Sequence, residues 1–203
     1  LKLAVIDAGV ASAAKLRPVD NKDAFFMAAP NYYGVCDGVS ACPQSRQYAQ
    51  TLARTASAEL KSGNAGGSWK EQVSNALMRA TEAAEGYSGS STAVMLRLDT
   101  DQAQPKVCTY TLGDSQAMVL RSQPDGSFAV GEISRCSYHA NGAPFQFGGD
   151  GWISDKVSEG IFEDFDVGAG DYVLCFSDGV SGNVAMDEVA QLVSECAGRS
   201  AEV

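Results

Sequence analysis

Two amphipathic segments of nearly equal length lie side by side at residues 45–61 and 68–85. In the first, Ala49, Leu52, Ala53, Ala56 and Leu60 recur at helical spacing, with Arg46, Arg54 and Lys61 off that stripe. In the second, Ser68 can cap the helix while Glu71 reaches back to it, and Val73, Leu77 and Ala80 face inward. Gly63, Gly66 and Gly67 break the first segment, and Gly86 and Gly89 stop the second. So short a connection predicts an antiparallel helix pair, each member with one apolar face to bury.

The rest of the chain supplies strands to bury it against. LKLAVIDAG (1–9), AFFMAA (24–29) and YYGVC (32–36) precede the pair, with turn residues at Pro30 and Asn31. STAVMLRL (91–98), KVCTYTL (106–112), QAMVLR (116–121) and SFAVGEI (127–133) follow it, the last two joined across a Pro124-Asp125-Gly126 hairpin. FEDFDV and YVLCFS are later strands, residues 186–197 read as a helix, and the Gly-rich stretch 141–151 reads as a surface loop. Phe25, Phe26, Tyr32 and Tyr33 read as core. Strands, a helix pair, then more strands predict an α+β fold rather than alternating βαβ units. No repeat or linker divides the chain, so residues 1–203 are expected to form one domain.

With 45% hydrophobic residues over 203 positions, the chain can bury a core. Fifteen Lys and Arg against twenty-five Asp and Glu give a net charge of −10, which argues against nucleic acid and anionic membrane as main partners. The imbalance is local: residues 150–203 hold twelve acids and two bases, whereas residues 1–149 hold thirteen of each. Such a segment can be a solvated surface, a cation site or a docking face for a basic partner. No apolar run approaches the ~20 residues that cross a bilayer. The chain opens on Leu1 rather than Met, which reads as a processed or incomplete product. Its six cysteines form no C-x-x-C pair, which argues against a zinc ribbon and for buried thiols in a reducing compartment.

Three aspartates adjoin a glycine at strand ends: Asp37 in VCDGVS, Asp114 in TLGDSQ and Asp178 in CFSDGVSGN. An aspartate there sets a carboxylate at the sheet rim, and the glycine lets the backbone bend so that its carbonyl can point the same way. Oxygen clusters of this kind suit hard cations such as Mg²⁺ or Mn²⁺, although Asp-Gly alone is common turn chemistry. The sole histidine, His139, cannot make a metal cluster and reads as a structural hydrogen bond. Ser40 has no positioned base and reads as a turn residue. The run Gly148-Gly149-Asp150-Gly151 lacks the phosphate-loop and dinucleotide fingerprints.

The segments KDAFF (22–26), GVCDGVS (34–40), SRQYAQTL (45–52), GSSTAVMLRLD (89–99), TLGDSQAMVLR (111–121), HANGAPFQ (139–146) and LCFSDGVSGN (174–183) resemble, in order, those of the type 2C metal-dependent serine/threonine protein phosphatases. His139, Asn141, Pro144, Phe145 and Gln146 resemble the mitochondrial and plastid branch in particular, which implies one of those compartments. The resemblance implies two stacked antiparallel sheets flanked by antiparallel helix pairs, with a two-metal Mg or Mn site at one rim. It implies hydrolysis of phosphoserine or phosphothreonine in a phosphoprotein by a metal-activated hydroxide. By motif position, Asp37 would bridge both metals, the Gly38 carbonyl would bind one and Asp178 the other. Asp114 would sit near a further, weaker cation, and Asp23 would orient a metal-bound water.

Three positions depart from the family pattern. Lys22 replaces the acidic residue before the KDAFF aspartate, and an ammonium fixed there would oppose the metal. Pro18 stands where the family has its phosphate-binding arginine, with Arg17 one residue off. The family's terminal Asp-containing strand has no counterpart before Val203, so either the sequence is incomplete at its C-terminus or that strand and its ligand are absent. These departures favour a phosphatase-like domain whose catalysis is lost or impaired, acting as a binding or structural subunit with residues 150–203 docking a basic surface. The alternative is an active Mg/Mn-dependent phosphatase. A Lys22 side chain directed away from Asp37 would move the balance towards the enzyme.

Overall fold

A computed structural model describes residues 21–28, 31–62, 67–100 and 103–199. The expected first strand, 1–9, together with Arg17 and Pro18, lies outside the described residues. The antiparallel hairpin β1 (Ala24–Ala28) and β2 (Tyr32–Cys36) leads into α1 (Ser45–Ser62) and α2 (Trp69–Ala84). Then come β3 (Ser90–Ser91), β4 (Ala93–Asp99), β5 (Lys106–Leu112), β6 (Gln116–Ser122), β7 (Phe128–Ile133), β8 (Phe147–Gly148), β9 (Ile161–Asp166) and β10 (Tyr172–Phe176). A one-turn helix α3 (Asp178–Ser181) and the longer α4 (Met186–Arg199) follow.

The strands form a five-stranded sheet in the order β1-β2-β4-β5-β9, a three-stranded sheet β10-β6-β7, and the small pair β3-β8. Every ladder is antiparallel. Side chains alternate across the larger sheet, and each face fills a different core. Ala93, Met95, Tyr110 and Leu112 turn to the helix pair, where Tyr48, Leu52, Val73 and Leu77 bury against them. Val94, Leu96, Val107 and Phe165 turn the other way and meet Ala117 and Val119 of the smaller sheet. The outer face of that smaller sheet, with Met118, Leu120 and Phe176, receives Ala190, Val189 and Val193 of α4. The layers therefore run helix pair, sheet, sheet, helix, a fold of the α+β class.

The expected apolar stripes of both long helices are buried, and alanines at 49, 53, 56, 76, 80 and 84 supply much of their buried surface. At the start of α2, the Glu71 backbone N–H donates to Ser68 Oγ at 3.4 Å and the Ser68 N–H donates to Glu71 Oε2 at 2.7 Å, the reciprocal cap read from sequence. The 124–126 hairpin also forms, with Gly126 at φ +83°.

The outer face of the second sheet is covered by α4, with the one-turn α3 before it. Two expectations are corrected. Phe25 is 49% exposed, because β1 is an edge strand among the described residues and alternation turns Phe26 inward instead. The Gly-rich stretch 141–151 is not merely a surface loop: it contains β8, whose Phe147 is 1% exposed and pairs with Ser91.

Candidate metal centre

Asp37 follows β2 directly, and the backbone there is held from several sides. The Thr92 N–H donates to the Asp37 carbonyl at 2.9 Å, the Val39 N–H donates to the Ser90 carbonyl at 3.0 Å, and Gly38 forms an isolated bridge with Ser91. Thr92 breaks the strand expected over 91–98 into β3 and β4, and its hydroxyl lies 2.8 Å from that of Ser115 beside Asp114. Gly38 is enclosed by backbone: an added Cβ would lie 2.7 Å from the Lys22 carbonyl oxygen and 2.9 Å from that of Ser45. Glycine is the residue that this approach admits.

Asp23 precedes β1 and accepts from the Ser177 hydroxyl at 2.9 Å, while its own N–H donates to Asn21 Oδ1 at 2.8 Å. Asp178 follows Ser177 at the first residue of α3. The ends of the two sheets thus place Asp23 and Asp178 next to Asp37. Burial first, then the Asp23 charge, then a hydrogen bond and charge from Asp178, push the Asp37 carboxyl up to about 9. Asp114 sits in the β5–β6 turn, where burial and then the Asp178 charge raise it as well. The structure therefore groups Asp37, Asp23 and Asp178, and sets Asp114 towards the Asp178 side. Among the described residues, no group of three or more His, Cys, Asp or Glu side chains is drawn into metal-ligating geometry. The grouping about Asp37 is a convergence of carboxylates, with the Gly38 backbone as an additional oxygen source.

Lys22 does not engage these carboxylates in the way expected of it. Its Nζ donates to the Ser40 carbonyl at 2.8 Å, which ties the ammonium to the loop after Gly38. Ser40 thus contributes its carbonyl, and its hydroxyl has no place in the grouping.

His139 plays the structural part read for it. Its Nε2 lies 3.0 Å from Asp155 Oδ2, which also accepts from the Gln146 N–H at 2.8 Å, and its ring packs on Phe145. Tyr138, beside it, is 53% exposed and its hydroxyl is pushed up to about 12, by burial first and then by Cys136, Asp114 and Asp178. Sequence reasoning missed Tyr138, Thr92 and Ser177. For Thr92 the quoted GSSTAV segment was the available signal; for Ser177 it was adjacency to Asp178. Cys36, Cys42, Cys108, Cys136 and Cys175 form no disulfide; Cys36, fully buried behind Asp37, is pushed well above its ordinary range, which removes it as a nucleophile. Among the described residues no helix is long and apolar enough to cross a membrane.

No protein-family model and no curated protein sequence matches the chain. Solved structures do. The photosystem II phosphatase PBCP superposes with a TM-score of 0.66 at 21% identity, over 86% of this chain and 66% of that one. The catalytic domain of the serine/threonine protein phosphatase PstP, solved with two manganese ions, gives 0.63 at 18% identity, over 94% of this chain and 87% of that one. A serine/threonine phosphatase of S. agalactiae gives 0.57 at 15% identity, over 86% of this chain and 80% of that one. At these identities the likeness is one of architecture, and in its two stacked antiparallel sheets and the helices that cover them the chain has the fold of the type 2C protein phosphatases.

Proposed function

We propose that the chain is one domain of a metal-dependent phosphatase kind, hydrolysing phosphoserine or phosphothreonine in proteins with impaired rather than absent catalysis. The observation that carries this reading is the grouping of Asp37, Asp23 and Asp178 about one buried carboxyl while the Lys22 ammonium is engaged by the Ser40 carbonyl. A convergence of carboxylates is stabilised by a bound divalent cation.

The residues present fit Mg²⁺ or Mn²⁺, since the donors are all oxygens and Gly38, enclosed by backbone, directly follows Asp37 in the chain. Asp37, Asp178 and the Gly38 carbonyl would hold the metals, with Asp114 towards a further one. When bound, they supply an activated nucleophile and neutralise charge on the phosphoryl oxygens. Asp23, fixed by Ser177, is placed to accept a proton or orient water beside Asp37. The PstP structure with two manganese ions supports the metal assignment, and the photosystem II phosphatase supports a plastid setting over a mitochondrial one.

A second reading is favoured by Lys22 itself, which stands where a carboxylate would add a ligand. On that reading the domain keeps the fold and binds a partner without turnover. Hydrolysis of a phosphothreonine peptide with added Mn²⁺, run beside Asp37→Ala, separates the two. Metal-dependent release of phosphate that disappears in the variant supports the enzyme, and equal rates without metal dependence in both proteins would sink it.

A further inference from the structure

We infer that the groove between the start of β7 and α4 is a docking site for an extended, basic segment of a partner protein, with Lys or Arg at positions i and i+4. Among the described residues β7 is paired only with β6, its Phe128 N–H donates to Ser194 Oγ of α4 at 2.9 Å, and a groove of about 470 Å³ runs beside it under α4. The strand side offers Phe128 and Val130; the helix side offers Asp187, Gln191 and Glu195. These three follow one another four residues apart, so they form one stripe of the helix.

Geometry sets the spacing of the ligand. Asp187 and Glu195 are eight residues apart, which at 1.5 Å per residue separates them by about 12 Å along the axis. An extended chain advances roughly 3.3 Å per residue and returns to the same face every second residue, so residues i and i+4 stand about 13 Å apart on one face. Residue i+2 of such a segment would meet Gln191, whose amide already donates to Glu195 Oε1 at 3.1 Å and holds that carboxylate in the stripe.

Charge commits the occupant. Both ionisable residues lining the groove are acidic, and they belong to the segment 150–203 that carries twelve acids against two bases. The opposite sign on a partner gives complementarity, faster encounter and discrimination against acidic segments. The nearest basic side chain of the same sheet, Arg121, is already bound by Asp171 at 2.7 Å and by Glu132.

The groove also lies away from the candidate metal centre. β6 begins at Gln116, opposite Phe176 and beside Asp114, and ends at Ser122, opposite Phe128. Docking at the Phe128 end therefore leaves the Asp37 rim open, and the inference stands whether or not the rim hydrolyses phosphate.

The test uses two labelled, β-branched peptides of equal length and charge, one with lysines four residues apart and one with lysines three apart, titrated by fluorescence anisotropy. The four-spaced peptide is expected to bind at least tenfold more tightly, to weaken as salt rises, and to lose at least tenfold in the Asp187→Lys/Glu195→Lys variant. Both positions are exposed, and an unchanged circular dichroism spectrum confirms that the variant folds. Equal binding of the two peptides, binding unmoved by the double variant, or no binding of the four-spaced peptide would each overturn the assignment.

Discussion

The Ser177 hydroxyl donates to the Asp23 carboxylate at 2.9 Å across 154 residues of sequence, and so joins the end of the smaller sheet to the start of the larger. Ser177 is also the residue before Asp178. One bond therefore sets how far apart the two rims, and the acids they carry, can stand. Removing it leaves a part-buried carboxylate short of a donor. Ser177→Ala is expected to cost about 1.5–3 kcal/mol in urea unfolding, the range for hydrogen bonds to charged groups, and to weaken Mn²⁺ binding several-fold.

Gly38→Ala tests the enclosure of the rim. The new methyl would approach two backbone oxygens within 3 Å, which only a shift of the Asp37–Ser40 segment can relieve. The variant is expected to be destabilised by a few kcal/mol and to lose Mn²⁺ binding together with that shift, checked by thermal unfolding with and without metal.

Lys22→Glu restores a carboxylate next to Asp23. A unit charge near a protein surface acts at contact distance on the scale of about 4 kcal/mol, so exchanging an ammonium for a carboxylate should raise Mn²⁺ affinity by roughly tenfold or more, measured by isothermal titration. The loss of the bond to the Ser40 carbonyl works against this gain.

The two long helices were legible in the sequence because a 3.6-residue period persists through each, and the Ser68–Glu71 cap because its partners are three residues apart. The β3–β8 pair was not: two-residue strands carry no period, and Phe147 is buried by contacts that only the assembled fold supplies. Asp37, Gly38, Asp114 and Asp178 stood out as Asp next to Gly at strand ends. Ser177 and Thr92 did not, since their partners, Asp23 and Asp37, are distant in sequence. The direction of Lys22 was not legible either, because a long flexible side chain turns to whichever acceptor the fold leaves within reach.

The metal-free protein should lose stability as pH rises. Asp37 has its carboxyl raised to about 9 in the folded state, against about 4 when unfolded. Between those values the folded chain holds a proton that the unfolded chain has released. The contribution is fully present below pH 4 and disappears as pH rises through 9. Urea unfolding at pH 5 and pH 8 in the presence of chelator should show the decline, and Asp37→Asn should flatten it.

Among the buried polar side-chain atoms described, Thr111 Oγ1 is without a hydrogen-bond partner, between the two sheets. Replacing that hydroxyl by a methyl group of similar size removes the cost of an unsatisfied donor. Thr111→Val should therefore raise stability by about 1–2 kcal/mol, read from the urea midpoint at constant slope.

The most direct test of the account is titration of the full chain with Mn²⁺, following the free-ion signal by electron paramagnetic resonance, with Asp37→Ala alongside. Saturable loss of the free-ion signal in the native chain, weakened at least tenfold in Asp37→Ala, is the predicted result. Binding that is absent from the native chain, or identical in the two proteins, would contradict the assignment of the Asp37 grouping as a metal centre.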